Sequence, residues 1–149
     1  LVAEWNAAAA LQAVENTIIA ARPGTVVTYG SPTNVAGRVV VYLGLLPTLS
    51  RPAASSGLRD RTIRIFIGFG YRIDPNNPAA AKPVEMAMCQ LVDLFLEAFE
   101  EDRSFGGVIS GASIEEDLTR QLTYAQFATQ EFRVVPFILS GVQSRTFTL

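Results

Sequence analysis

Residues 61–73 alternate apolar and non-apolar positions without a slip, and nothing else in this chain restricts the fold as tightly. Ile63, Ile65, Ile67, Phe69, Tyr71 and Ile73 fall on one side, and Thr62, Arg64, Phe66, Gly68, Gly70 and Arg72 on the other. So long a period-two pattern reads as a single β-strand, and its register is pinned because a one-residue slip would turn the whole apolar set to solvent. The first side calls for a helical layer. The second is small and cationic, with two glycines where another group approaches closely.

The covering layer follows at once. Residues 80–102 repeat Val84, Met88, Leu91, Phe95 and Phe99 at helical spacing, with Val92 beside them. Glu85, Asp93, Glu97 and Glu101 recur at multiples of four and so share the opposite face. Cys89 lies in this helix among apolar neighbours, which predicts a buried structural thiol. Upstream, the alanine-rich residues 4–22 place Leu11, Val14 and Ile18 on one stripe, and Pro23-Gly24 stops that helix. Residues 25–29 (TVVTY) read as a short strand and 38–43 (RVVVYL) as an apolar strand covered on both faces. Residues 44–60 contain Pro47, Pro52, Gly57 and three serines with no sustained period, which predicts a long hairpin loop, either a disordered tip or an arm reaching a neighbour. After the long helix, 103–107 (RSFGG) is a turn, Val108 and Ile109 begin a strand, and 115–117 (EED) is a loop or helical turn. Residues 132–139 (FRVVPFIL) are the last core strand, with Phe132, Val134 and Ile138 on one face. Pro136 predicts an edge or a bulge there, because proline removes a ladder donor. Residues 141–149 form a tail carrying Phe147 and Leu149. The expected fold is a single domain, 1–149, of the α/β (α+β) class. A mixed, mainly antiparallel sheet packs against an N-terminal helix and a long central helix.

Composition narrows the chemistry. With 49% hydrophobic and 17% charged residues the chain is not a disordered one. Histidine is absent, which removes the usual neutral-pH base and the commonest metal ligand. One cysteine makes neither an internal disulfide nor a cysteine-based zinc site, and suits a reducing compartment. No apolar run reaches the ~18 residues of a membrane span, and no basic-then-apolar leader is read at the start. Gly68-Phe69-Gly70 sits inside a strand rather than at a strand-to-helix turn, so it is no nucleotide fingerprint. Glu97, Glu100, Glu101 and Asp102 read as a solvated or interface face rather than an acid pair or an oxygen-ligand metal site. The expectation is no enzyme, no cofactor and no metal. Net charge is −2, but residues 1–82 carry eight bases and four acids, and residues 83–149 four bases and ten acids. Segregated charge of that kind suits a contact in which one face of a subunit meets a different face of the next. Subunit-interface candidates are Arg51, Arg59, Arg61, Arg64 and Arg72 against Glu97 and Glu101. Leu45, Leu46, Leu49 and Phe147 are apolar anchors in the two segments expected to order on assembly.

The order of elements resembles the tail terminator (tail completion) proteins of long-tailed bacteriophages. The residues that carry the likeness are 38–43, 61–73, 84–99, 102–108 (DRSFGGV) and 124–139, so it spans roughly residues 5–140. The longer 44–60 segment and the tail after Gly141 depart from the family form. The resemblance implies a homo-oligomeric ring of six subunits that caps the tail tube, ends its extension and presents a surface to the head. Its partners would be the tail tube protein and a head-neck connector or stopper protein, with DNA passing through the ring and neither membrane nor sequence-specific nucleic acid bound. Its place would be the tail-neck junction of the virion, and the host cytoplasm during assembly. Two other readings stay open at this point. One is another neck or head-completion component. The other is a small-molecule-binding α+β domain, although the inward face of 63–73 offers such a ligand only the Tyr71 hydroxyl.

Overall fold

A computed structural model describes residues 2, 4–30, 38–47, 50–52, 57–116, 123–127 and 130–147, with the backbone alone at 50–52, 116, 123–127 and 130. Helix α1 spans Ala7–Ala21. Its start is set by Asn6, whose side-chain oxygen accepts from the Ala9 amide at 2.9 Å, satisfying one of the orphan donors of the first turn. The strands are β1 (Val26–Tyr29), β2 (Val40–Leu45), β3 (Ser50–Pro52) and β4 (Leu58–Arg72). A 3-10 turn, Pro78–Ala80, leads into helix α2, Ala81–Glu101. Strands β5 (Ser110–Glu116), β6 (Thr123–Phe127) and β7 (Gln130–Thr146) complete the chain.

These strands form one sheet in the order β1-β2-β4-β7-β5, with β3 added to β4 and β6 to β7. Among the described strands, only β1 and β2 run parallel. The central ladder pairs β4 with β7 over fifteen positions, from Leu58↔Thr146 to Arg72↔Phe132. Both helices lie on one face. Ile63, Ile65, Ile67, Phe69 and Tyr71 are buried there against Met88, Leu91, Phe95 and Phe99 of α2 and Ala10, Val14 and Ile18 of α1. The period-two face thus meets the period-3.6 face, as the sequence predicts. The opposite side of the sheet holds a smaller cluster of Tyr42, Phe132 and Val134, with Phe66 packed against it. Gly68 belongs to this side: a Cβ there would lie 2.5 Å from two carbons of the Tyr42 ring.

The turn after α2 explains the DRSFGGV stretch. The Asp102 carboxylate accepts from the Ser104 amide (3.1 Å), the Ser104 hydroxyl (2.6 Å) and the Gly106 amide (2.8 Å). Phe105, Gly106 and Gly107 all have positive φ, of 50°, 75° and 86°. Glycine adopts that region freely, whereas Phe105 is held in it by burial against Phe99, ring centroids 5.9 Å apart.

Several expectations are corrected. The expected loop 44–60 is strand in part: Gly44 and Leu45 end β2, Ser50–Pro52 is β3, and 58–60 open β4, while 48, 49 and 53–56 lie outside the described residues. Residues 141–146 are not a tail but the last third of β7. Glu115 and Glu116 lie in β5, which starts at Ser110 rather than at Val108. Strand β7 is central, not an edge. Yet β6 pairs with β7 up to Val134 and β5 takes over at Phe137, so Pro136 stands where the partner changes. The missing amide is tolerated at that joint. Phe132, Val134 and Ile138 do share a face, but it is the one away from the helices; Phe137 and Leu139 are the core residues. Cys89 is exposed, not buried. The α2 repeat runs through Met88 and Leu91 on either side of it, and the intervening position faces out.

Candidate functional site

Of the interface candidates, Arg59 and Arg61 fall at one end of the sheet and Glu97 and Glu101 on the outer side of α2. Strand β4 is fifteen residues long, ~50 Å of chain, whereas the twenty-one residues of α2 span only ~31 Å. Ile109 packs over Gly141, which pairs with Ile63, and a Cβ at Gly141 would meet the Ile109 side chain at 2.5 Å; past that point the segment before α1 runs beside β7, the Val2 amide donating to the Ser144 carbonyl at 2.8 Å. Leu58, Arg59, Asp60, Arg61 and Thr62 extend beyond that point with their β7 partners, an arm of roughly 15 Å. Strand β3 pairs along it, Ser50↔Arg61 to Pro52↔Arg59. At its base lies Gln143, buried, whose amide nitrogen donates to the carbonyls of Asn6 and Val108 at 3.2 Å each while its oxygen accepts from the Asn6 amide.

Alternation sorts the arm's charges. Arg59 stands directly opposite Arg145, and Arg61 opposite Gln143, on the helix side. Asp60 points the other way and accepts from the Ser144 hydroxyl at 2.5 Å. Arg59 is exposed and makes no hydrogen bond or ion pair with the described residues. Arg145 lies over the Phe147 ring at 4.6 Å, and Phe147 packs on Trp5 with centroids 5.8 Å apart. The Arg145 Nε is shut from solvent without a partner among the described residues. Sequence reading missed Arg145; its i, i+2 relation to Gln143 on a strand mistaken for a tail was the available signal. Arg64 is exposed but on the opposite side of the sheet, across from Ser140. Arg72 is at the far end of β4, half-buried and engaged within the chain, so the structure does not bring it to the arm. The Arg51 side chain, Leu49 and Leu149 lie outside the described residues. Leu45 is 44% exposed at the end of β2, and Leu46 beside it is half-buried, its amide donating to the Arg64 carbonyl at 2.8 Å.

On α2, Asp93, Glu97 and Glu101 are exposed in one line and pair with no described residue. Glu100 is taken by Arg103 at 2.7 Å, whose guanidinium also covers the Phe99 ring at 5.3 Å. Glu85, by contrast, is drawn toward the sheet by Arg133 at 3.4 Å. Met86 and Leu94 are the exposed large apolar residues of this helix.

The remaining chemistry is structural in character. Hydrogen bonds from Ser104 and Gly106 hold the Asp102 carboxyl below its ordinary value. Partial burial and the hydrogen bond to Glu15 push the Tyr29 phenol up to about 12. A cleft of about 410 Å³ lies between the end of α1 and α2, with Arg22 and Arg38 at its rim over Val39, Val84 and Leu91. Both cations there are held by the chain: Arg22 donates to the Ala87 carbonyl at 3.2 Å and Arg38 to the Gly24 carbonyl at 2.7 Å. No group of three or more metal-ligating side chains is found among the described residues, and none of the described helices is long and apolar enough to cross a membrane.

Fold and surface together define an α+β domain: one mainly antiparallel sheet, two helices on one face, a basic overhang and an acidic outer helix. No protein-family model and no curated protein matches the sequence. Among solved structures, the fold is similar to the sheath/tube terminator, in its extended state, of the extracellular contractile injection system PVC. The TM-score is 0.53 at 13% identity, over 99% of this chain and 59% of that one. The likeness is one of fold, and the chain spans about three-fifths of the length of the protein it matches.

Proposed function

We propose that this chain is a structural assembly subunit of a phage or phage-like tail: a terminator that forms a ring, six-membered on the family resemblance, on the end of the tail tube. It stops tube extension and presents its outer surface to the head-neck connector or stopper protein, with DNA passing through the ring. It works without catalysis and without a cofactor, at the tail-neck junction of the particle after assembly in the host cytoplasm. The observation that carries this reading is the match of fold, over nearly the whole chain, to a protein whose own title is that of a sheath/tube terminator. The segregation of charge between the arm and the outer side of α2 supports it, since such a subunit can join head-to-tail with its copies.

The test is direct. The purified protein is sized by light scattering, imaged as single particles, and mixed with tail tubes assembled from the tube protein of the same particle. The expected result is a ring, either free or formed on tube ends, and tubes that no longer lengthen. A monomer that neither forms rings nor binds tube ends overturns the proposal.

A further inference from the structure

We infer that a second copy of this chain lays its helix α2 antiparallel against α2 of the first, about a twofold axis that crosses the helix near its middle. This goes beyond the ring: it assigns the outer side of the helical layer and commits it to one partner.

Charge is ordered along that side. Lys82 stands in the first turn of α2, while Glu97, Glu100 and Glu101 crowd its C-terminal end. No acid lies in the first turn and no base in the last, so the order runs against the helix macrodipole, whose positive end is the N-terminus. The chain itself relieves little of this. Arg103 takes Glu100, whereas Lys82, Asp93, Glu97 and Glu101 are exposed and pair with no described residue. Two more cations, Arg22 and Arg38, stand near the basic end at the rim of the cleft, and no described carboxylate lines it. Neutral groups hold both. Arg22 donates to the Ala87 carbonyl and to the Gln90 side-chain oxygen, each at 3.2 Å, and Arg38 to the Gly24 carbonyl at 2.7 Å. Such bonds fix a guanidinium in place and leave its charge uncompensated.

The spacing points to a copy of the same face. Met86, Gln90, Asp93 and Glu97 follow at intervals of four, three and four, which makes one seam along the outer side. Turned end for end, the seam meets itself in register: Met86 is level with Glu97 of the other copy, Gln90 with Asp93, and Lys82 with Glu101. Asp93 then arrives where Arg22 is already bonded to Gln90. Each pair occurs twice about the axis. Met86 and Leu94, 57% and 37% exposed, are the apolar groups this contact takes out of water. Helix α2 is ~31 Å long and the two helices together are ~20 Å across, so the layer offers about 600 Å² per copy. That total, ~1,200 Å², is at the lower limit for a stable interface, so the pair is reversible. A twofold contact joins two copies and stops, and this one leaves the sheet edges free.

Two charge-reversed proteins test this, Asp93→Lys/Glu97→Lys at the acidic end and Arg22→Glu/Lys82→Glu at the basic end. Each is first checked for a thermal melt like the parent's. If the basic-end variant melts early, Arg22→Gln/Lys82→Glu replaces it. The free protein is followed by native mass spectrometry and sedimentation as its concentration rises. The parent's mass, as monomer or as ring, is expected to double once. Each variant alone is expected to need roughly tenfold more protein to do so, because opposite charges have become like ones. Mixed one to one the variants pair again and every pair holds one of each, since an all-basic layer then meets an all-acidic one. Glu115→Lys, beside Ile138 on the other side of the sheet, pairs like the parent. A parent whose mass never doubles, variants that pair alone, a mixture that stays unpaired, or a Glu115→Lys protein as impaired as the others overturns the pairing. Capping of tube ends is scored in parallel and answers for the ring by itself, so the two readings fail separately.

Discussion

Gly68→Ala places one methyl group where the structure has no room for it. The new Cβ would sit 2.5 Å from Cε1 and Cζ of Tyr42 and 3.0 Å from the Phe66 ring, so the Tyr42 ring must move by about 1 Å to reach an ordinary carbon–carbon contact. That ring is 5% exposed and lies against Phe66, centroids 5.3 Å apart, which blocks the retreat. Overpacking of this kind costs ~1–3 kcal/mol. Opposing it, alanine in a strand interior is favoured over glycine by ~0.5–1 kcal/mol through chain entropy. The clash wins, and the net loss is about 1–2 kcal/mol. For a domain of this size the melting temperature falls by ~2–8 °C. Urea titration under monomeric conditions should show a lower midpoint with an unchanged slope, which separates a loss of stability from a change in compactness. The decisive measurement repeats the substitution in a Tyr42→Ala background. There the methyl group enters vacated space, and the same change becomes neutral or slightly stabilising, a coupling of about 1–3 kcal/mol. A Gly68→Ala protein as stable as the parent, or a penalty that persists without the Tyr42 ring, would refute the reasoning.

Three further outcomes follow from the same structure. Phe95→Ala removes a fully buried ring packed 5.7 Å from Phe69 and should cost ~3–5 kcal/mol in chemical denaturation; a parent-like midpoint would put Phe95 outside the core. Asp102 has its carboxyl pKa lowered in the folded chain from an ordinary 3.8. Its contribution to stability is therefore complete above the ordinary carboxylate range and is lost as pH falls through the lowered value. Asp102→Asn should flatten that part of the acid limb of a stability-versus-pH curve, and an identical limb in the variant would contradict this. Cys89 should react with a thiol reagent in the native monomer without unfolding, one equivalent per chain, since it is exposed; reaction only in denaturant would contradict the observed α2 orientation.

The legible part of the fold was the part with an unbroken period. Residues 63–71 and 84–99 declare both their elements and their mutual packing, because a wrong assignment of either would strand apolar groups in water. Strand β3 and the far ends of β4 and β7 were not legible as strands. Their residues, such as Arg59, Arg145 and Ser144, pair through the backbone while facing solvent or one another, so no apolar alternation records them. Pro136 misled for a related reason: proline forbids a ladder bond at one position, and β7 supplies that position at the gap between two partners rather than at an edge. Cys89 was read from composition around it, when its angular position between Met88 and Leu91 was what mattered. For the candidate surface, the arginines of β4 were visible as charge, but which of them stand together depends on strand parity across β4 and β7. That pairing joins residues 60 to 88 positions apart, and a single sequence contains no trace of it.

The Gln143 clasp has a consequence for how the protein is made. It ties the start of α1 to the end of β7 across 137 residues, and the sheet's centre is likewise a pairing of distant strands. Contacts of such long sequence separation close slowly, on the order of milliseconds to seconds. During synthesis, β4 and α2 emerge well before the strand that fills the sheet between β4 and β5. Until residues 142–146 leave the ribosome, the arm lacks one of its strands and α1 lacks its anchor at Asn6. The growing chain therefore keeps the centre of its sheet open until β7 has been made, and the fold closes only then.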